Sequence, residues 1–262
     1  MTSNREARAL GMARVALGLI FLVRTAPRLG WPTSDWTAAV PGLALPGAVV
    51  AGLCVLRTLA AVLFTCGVQA RLSGIVAAVS GYLVLAQDRF AFINSLHLLF
   101  LATFVLALTT APSEVALVPA RPPASPEVVA SSVRFVSVVL ASIYFWAGVA
   151  KAQPEWLSGH ALEAQAQAGA FAGPLGRWLE HASVRALASW TVPALELGIA
   201  LLLLADRRRP AIVLGLFFHG VVELTVNPDT LGWQMAVLLL AVWPRPRVTQ
   251  ADAAERAEAG GR

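Results

Sequence analysis

The chain has 262 residues, 57% hydrophobic and only 13% charged, with a mean hydropathy of +0.69. A soluble domain is nearer half apolar and a quarter charged, so a water-soluble globule is excluded. The net charge of +5 comes from arginines scattered at the edges of apolar runs; this pattern fits charge-oriented membrane insertion and argues against a nucleic-acid partner.

Apolar stretches of about 20 residues recur from end to end, each long enough to cross the roughly 30 Å hydrocarbon layer. They are continuous, whereas a membrane β-barrel would show short alternating segments. The expected class is therefore all-α, a polytopic transmembrane helical bundle of about eight spans. Their limits are near 9–25, 46–68, 71–87, 91–111, 128–150, 186–205, 210–226 and 229–243. The third, seventh and eighth are short or barely separated, which leaves seven as the alternative.

The first run follows Arg5 and Arg8 and is similar to a signal peptide. Arg14 interrupts it and no small-residue cleavage site follows, so an uncleaved first helix is expected. Gly30-Trp31-Pro32, Arg121-Pro122-Pro123 and Pro210 punctuate the joins. Two connections are long. Residues 26–45 carry Trp31 and Trp36. Residues 151–185 carry Leu162, Phe171, Leu175, Trp178 and Leu179, and part of this segment is expected to lie along the membrane surface as an amphipathic helix. One transmembrane domain, 1–244, and a disordered polar tail, 245–262, are expected.

Lysine and arginine near span ends set the orientation. With eight spans, one side receives nine: Arg5, Arg8, Arg71, Arg121, Arg207, Arg208, Arg209, Arg245 and Arg247. The other receives six: Arg24, Arg28, Arg89, Lys151, Arg177 and Arg185. Both termini are therefore expected in the cytoplasm, and all tryptophans but Trp243 near the outer face. The expected location is a bacterial inner (cytoplasmic) membrane, with membrane lipids as partners and the protein partner open. Cys54 and Cys66 form no CxxC, so no redox pair or metal site is expected.

Charges inside spans cost a few kcal/mol on insertion scales, so each needs a reason. Arg14 and Arg134 lie toward the cytoplasmic end, where snorkelling to the surface is expected. Arg57 and Glu196 each fall about ten residues from the outer end of a span, roughly 15 Å deep. Opposite charges at equal depth suggest a buried structural ion pair. Pro193, three residues before Glu196, leaves the Ser189 carbonyl without its helical donor. A kinked helix carrying a carboxylate is either a lock or a ligand site.

A third group gathers toward the outer face. Asn94 and His97 lie near the outer end of the fourth span, and Tyr144 and Lys151 near that of the fifth. His219 and Glu223, one turn apart on one helical face, lie in the outer half of the seventh. These are ingredients of proton transfer, or else a belt of interfacial polar residues that never meet. Lys151 is the only lysine among 20 basic residues. It is either a snorkelling anchor or a base.

Tyr144-Phe145-x-Ala147-Gly148-Val149-x-Lys151, followed by Trp156 and Gly159, resembles a stretch of the vitamin K-dependent γ-glutamyl carboxylases and of the wider HTTM (horizontally transferred transmembrane) family. Asn94 before an apolar helix, Glu196 in a Pro-containing helix, His219 and Gly232-Trp233-Gln234 also fit, and the resemblance runs in order through about residues 8–243. It implies a bundle of about eight spans with an outer-face site. There Lys151 would be the base that deprotonates a reduced, vitamin K-like quinone, with Asn94, His97, Tyr144, His219 and Glu223 binding or supporting the ligand. A lysine serves as a base only where desolvation or neighbouring positive charge makes the neutral amine accessible.

The chain departs from the animal carboxylases in three places. Ala150-Lys151 stands where they have two lysines, and Ser95 where they have a histidine after the asparagine. No large segment corresponds to their substrate-gripping lumenal domain, which counts against carboxylation of protein glutamate. The resemblance implies a carboxylase-like or quinone-dependent lyase or oxidoreductase. The alternative is a non-catalytic membrane module that binds lipid or quinone, or supports another membrane or secreted redox protein. A transporter is least favoured, since neither an inverted repeat nor paired broken helices are visible.

Overall fold

The computed structural model describes residues 2–25, 44–87, 94–109, 115–117, 125–226 and 230–243. Among the described residues every regular element is helical. Eight longer helices fall on the eight expected runs: α1 (Thr2–Thr25), α2 (Gly47–Cys66), α3 (Ala70–Leu85), α4 (Asn94–Leu108), α5 (Pro126–Lys151), α8 (Ala182–Leu204), α9 (Arg208–Thr225) and α10 (Leu231–Ala241). Two short helices, α6 (Pro154–Leu157) and α7 (His160–Gln167), and a 3₁₀ turn over Gly176–Glu180 occupy the long 151–185 connection. The 26–45 connection and the polar tail lie almost wholly outside the described residues.

Local chemistry sets several boundaries. Ser125 caps α5 by accepting from the Val128 N–H, with Pro126 in the first turn, where its missing N–H costs nothing. Gly67 ends α2 in the left-handed region (φ 78°), its N–H returning to the last-turn carbonyls. The α2–α3 hairpin packs closely because α3 buries a run of small residues, Ser73, Gly74, Ala77, Ala78 and Gly81, against its neighbours.

α1 lies at the seam of the bundle. It touches α2, α4, α5 and α10, while α2–α3–α4 form one flank and α5, α8, α9 and α10 the other. Its buried stripe, Ala7, Leu10, Arg14, Leu17 and Phe21, repeats every three to four residues, the period of one helical face. Arg14 therefore does not snorkel, contrary to expectation. It is 1% exposed and donates to the carbonyls of Phe64 and Thr65 at the end of α2 and of Val115. Its guanidinium adds a charged donor at the end of α2, where the helix runs out of N–H donors.

The outer surface is a belt of large apolar side chains, among them Val55, Leu59, Leu63, Val138, Leu187, Leu201 and Phe217. Water would penalise such a continuous apolar surface, whereas lipid accepts it. By length and composition α2, α5 and α8 can each cross a membrane, and α3, Ser95–Leu108 and α10 are shorter apolar helices.

Candidate functional site

The site is built on the contact between α5 and α8. Gly148 of α5 lies against Leu197 of α8, where an added Cβ would stand 2.8 Å from the Leu197 side chain. That close approach fixes where the two helices meet. Lys151, at the end of α5, reaches Glu196, the neighbour of Leu197 in the middle of α8. α6, α7 and the 3₁₀ turn pack against α8, and Ser189 Oγ, buried beside the α5–α6 corner, lies 3.1 Å from the Leu157 carbonyl.

Lys151 Nζ lies 2.8 Å and 2.9 Å from the two carboxylate oxygens of Glu196 and 3.3 Å from the Ala147 carbonyl, so all three of its N–H donors are engaged. The side chains are 26% and 6% exposed. The Trp156 ring, on α6, covers the ammonium with its centroid 5.6 Å away, within cation–π range.

The expected Arg57–Glu196 pair is not found. Both Glu196 oxygens face Lys151, and Arg57 is buried on α2, donating to the Thr25 carbonyl at 3.1 Å. α2 packs on α1 and α3, on the far flank from α8. Equal depth along two helices does not place them side by side. The depth of Glu196, counted as if every span started flush, also hid its true partner.

Two turns below Lys151 on the same α5 face, Tyr144 is 2% exposed. Its hydroxyl lies 2.9 Å from Nε2 of His219 on α9, itself 6% exposed. Gly215, one turn from His219, makes room for the phenol: a Cβ there would stand 3.1 Å from the hydroxyl oxygen. Both pairs are anchored on α5, where Tyr144 and Lys151 stand two turns apart. The two pairs therefore form one polar cluster inside an apolar bundle.

The other expected site residues are placed differently. Glu223, a turn outward from His219, accepts from the Gly232 N–H at 3.1 Å and so ties α9 to the start of α10. His97 is exposed and meets the Tyr82 hydroxyl at 3.1 Å through Nδ1, beside the contact of Arg24 with Ser95 across α1 and α4. Asn94 opens α4, and its side chain is not among those described. Trp156 and Ser189 were not expected in the site. Trp156 belongs to the resembling stretch, and Ser189 is the residue whose carbonyl Pro193 frees, so both left a trace in the sequence. Among the described residues no three His, Cys, Asp or Glu gather closely enough to hold a metal ion.

A helical bundle with a lipid-facing exterior and a desolvated Lys–Glu pair backed by a Tyr–His pair defines an integral membrane protein with an internal polar centre. The HTTM domain model matches residues 3–244, nearly the whole chain, and the protein belongs to that family. Comparison with curated proteins and with solved structures finds no match.

Proposed function

We propose that this protein is a membrane enzyme that moves a proton to and from a lipid-soluble, reduced quinone-like substrate, with Lys151 as the base. In this reading the eight long helices span a bacterial cytoplasmic membrane, both termini are cytoplasmic, and the substrate enters from the outer leaflet. The observation that carries the reading is the Lys151–Glu196 pair. It sits inside the bundle under Trp156, its ammonium fully hydrogen-bonded. A surface anchor would need none of these contacts.

The pair also gives the lysine proton somewhere to go. Transfer along one N–H···O hydrogen bond leaves a neutral amine and a carboxylic acid. A covering ligand promotes this step, because removing water penalises the ion pair more than its neutral form. The amine then takes the proton of a ligand hydroxyl, leaving an oxyanion beside a renewed ammonium. Tyr144 and His219 lie behind the pair as further hydrogen-bonding groups.

The test is oxygen uptake by 1,4-naphthohydroquinone in nanodiscs, since the deprotonated hydroquinone is oxidised to the quinone by oxygen faster than the neutral form. Wild-type protein should accelerate uptake above empty nanodiscs. Lys151→Arg and Lys151→Ala should both lose the acceleration with folding retained, because arginine does not give up its proton in proteins. Full activity in Lys151→Arg, or no acceleration by wild type, refutes the catalytic reading. A second reading, a non-catalytic module, draws on the same pair as a brace between α5 and α8, and on that reading no variant changes the rate.

A further inference from the structure

The Tyr144–His219 pair leaves one ring nitrogen unaccounted for. Nδ1 of His219 is buried and meets no hydrogen-bond partner among the described residues, although the residue is only 6% exposed. The tautomer follows from the neighbouring phenol. The one partner of the Tyr144 hydroxyl among the described residues is His219 Nε2, at 2.9 Å. If Nε2 carried the proton, the phenol proton would have no acceptor, and two buried polar atoms would be unmet instead of one. Tyr144 therefore donates to Nε2, and Nδ1 carries the hydrogen. A buried N–H without an acceptor is costly, and such orphans in native folds call for an explanation.

We infer that His219 presents Nδ1–H as the deep hydrogen-bond donor to an oxygen of an uncharged, lipid-soluble ligand. Charge balance sets the class. Lys151 and Glu196 already neutralise one another, and Tyr144 and the imidazole are committed as a neutral donor–acceptor pair. A charged ligand would leave a net charge inside an apolar bundle, which is expensive. The immediate surroundings of the imidazole are aromatic: Phe218 stands edge-on to His219 at 5.1 Å, and Tyr144 is tilted at 5.9 Å. This rests on the cluster being the ligand site proposed above, and it does not require Lys151 to act as a base.

The probe is 1,4-naphthoquinone, which has acceptor oxygens and no proton to transfer, with naphthalene as the oxygen-free control. Binding is measured by titration calorimetry in nanodiscs against empty discs, and the tautomer by ¹⁵N NMR of the four histidines, assigned with a His219 variant. Free protein should show His219 protonated at Nδ1, and the quinone should shift that nitrogen. The quinone should bind at least about tenfold tighter than naphthalene, the worth of one hydrogen bond.

Two variants separate the ring nitrogens. Asparagine places its amide N–H near the Nδ1 position, whereas glutamine reaches the Nε2 position and can still accept from Tyr144. His219→Asn should keep the preference for the quinone. His219→Gln should fold with wild-type stability and lose it, a loss of at least about tenfold, the effect of one hydrogen bond. An Nε2-protonated ring, equal binding of quinone and naphthalene, or undiminished binding by His219→Gln overturns the inference, as does a protonated Nδ1 with no saturable quinone binding, which would mean a buried water. Quinone binding through Nδ1 with unchanged turnover in Lys151→Arg would sink the catalytic reading alone.

Discussion

Removing one member of the Lys151–Glu196 pair should cost different amounts depending on which member is left. Breaking a buried ion pair costs roughly 3–5 kcal/mol, because the survivor keeps a desolvated charge. The two survivors are not equally trapped: Lys151 is 26% exposed at a helix end, and Glu196 is 6% exposed in mid-helix. In Glu196→Leu the lysine stem can swing its ammonium toward water, so a loss of about 1–2 kcal/mol is expected. In Lys151→Met the carboxylate stays inside the bundle, and about 3 kcal/mol or more should be lost. The double variant strands no charge and should lie within about 1 kcal/mol of wild type. The cycle would then give a coupling of at least about 3 kcal/mol, far above the scatter between independent sites. Reversible unfolding in mixed micelles of increasing SDS content measures all four proteins. A double variant as damaged as the sum of the singles, or equal losses in the two singles, would refute the reasoning.

Arg57→Met and Glu196→Leu should add within about 0.5 kcal/mol in the same assay, since their helices lie on opposite flanks; a coupling above 1 kcal/mol would restore the pair that the sequence suggested. Arg14→Met should destabilise by at least about 2 kcal/mol, because it strips a charged donor from three carbonyls and leaves that of Phe64 buried without it, and Arg14→Lys should recover only part, lacking the planar fork. A variant at wild-type stability would show that those carbonyls find other donors. Reporter fusions at residue 170 and at the C-terminus should report opposite sides of the membrane, as the nine-to-six basic count requires, and agreement between them would overturn the span count or the orientation.

The helices themselves were legible in the sequence, because hydrophobic length, caps and breakers act within a few residues of chain. The eight apolar runs are helical, Ser125-Pro126 opens α5, and the long 151–185 connection contains short helices. Lys151 could also be singled out from its isolation among arginines, and the structure seats it in a pair with Glu196. What the sequence could not determine was how far each helix slides and rotates against the next. Depth counted from span ends put Lys151 near the surface, Glu196 about 15 Å below it, and Arg57 beside Glu196. The Gly148–Leu197 contact brings the end of α5 against the middle of α8, and there Lys151 and Glu196 meet. Likewise Arg14 falls on the buried stripe of α1 beside the C-terminal carbonyls of α2, so it donates to them instead of reaching for solvent. Periodicity records which face of a helix is apolar, but register and partner depend on side-chain packing between segments far apart in the chain, and that is decided only when the tertiary structure brings them together.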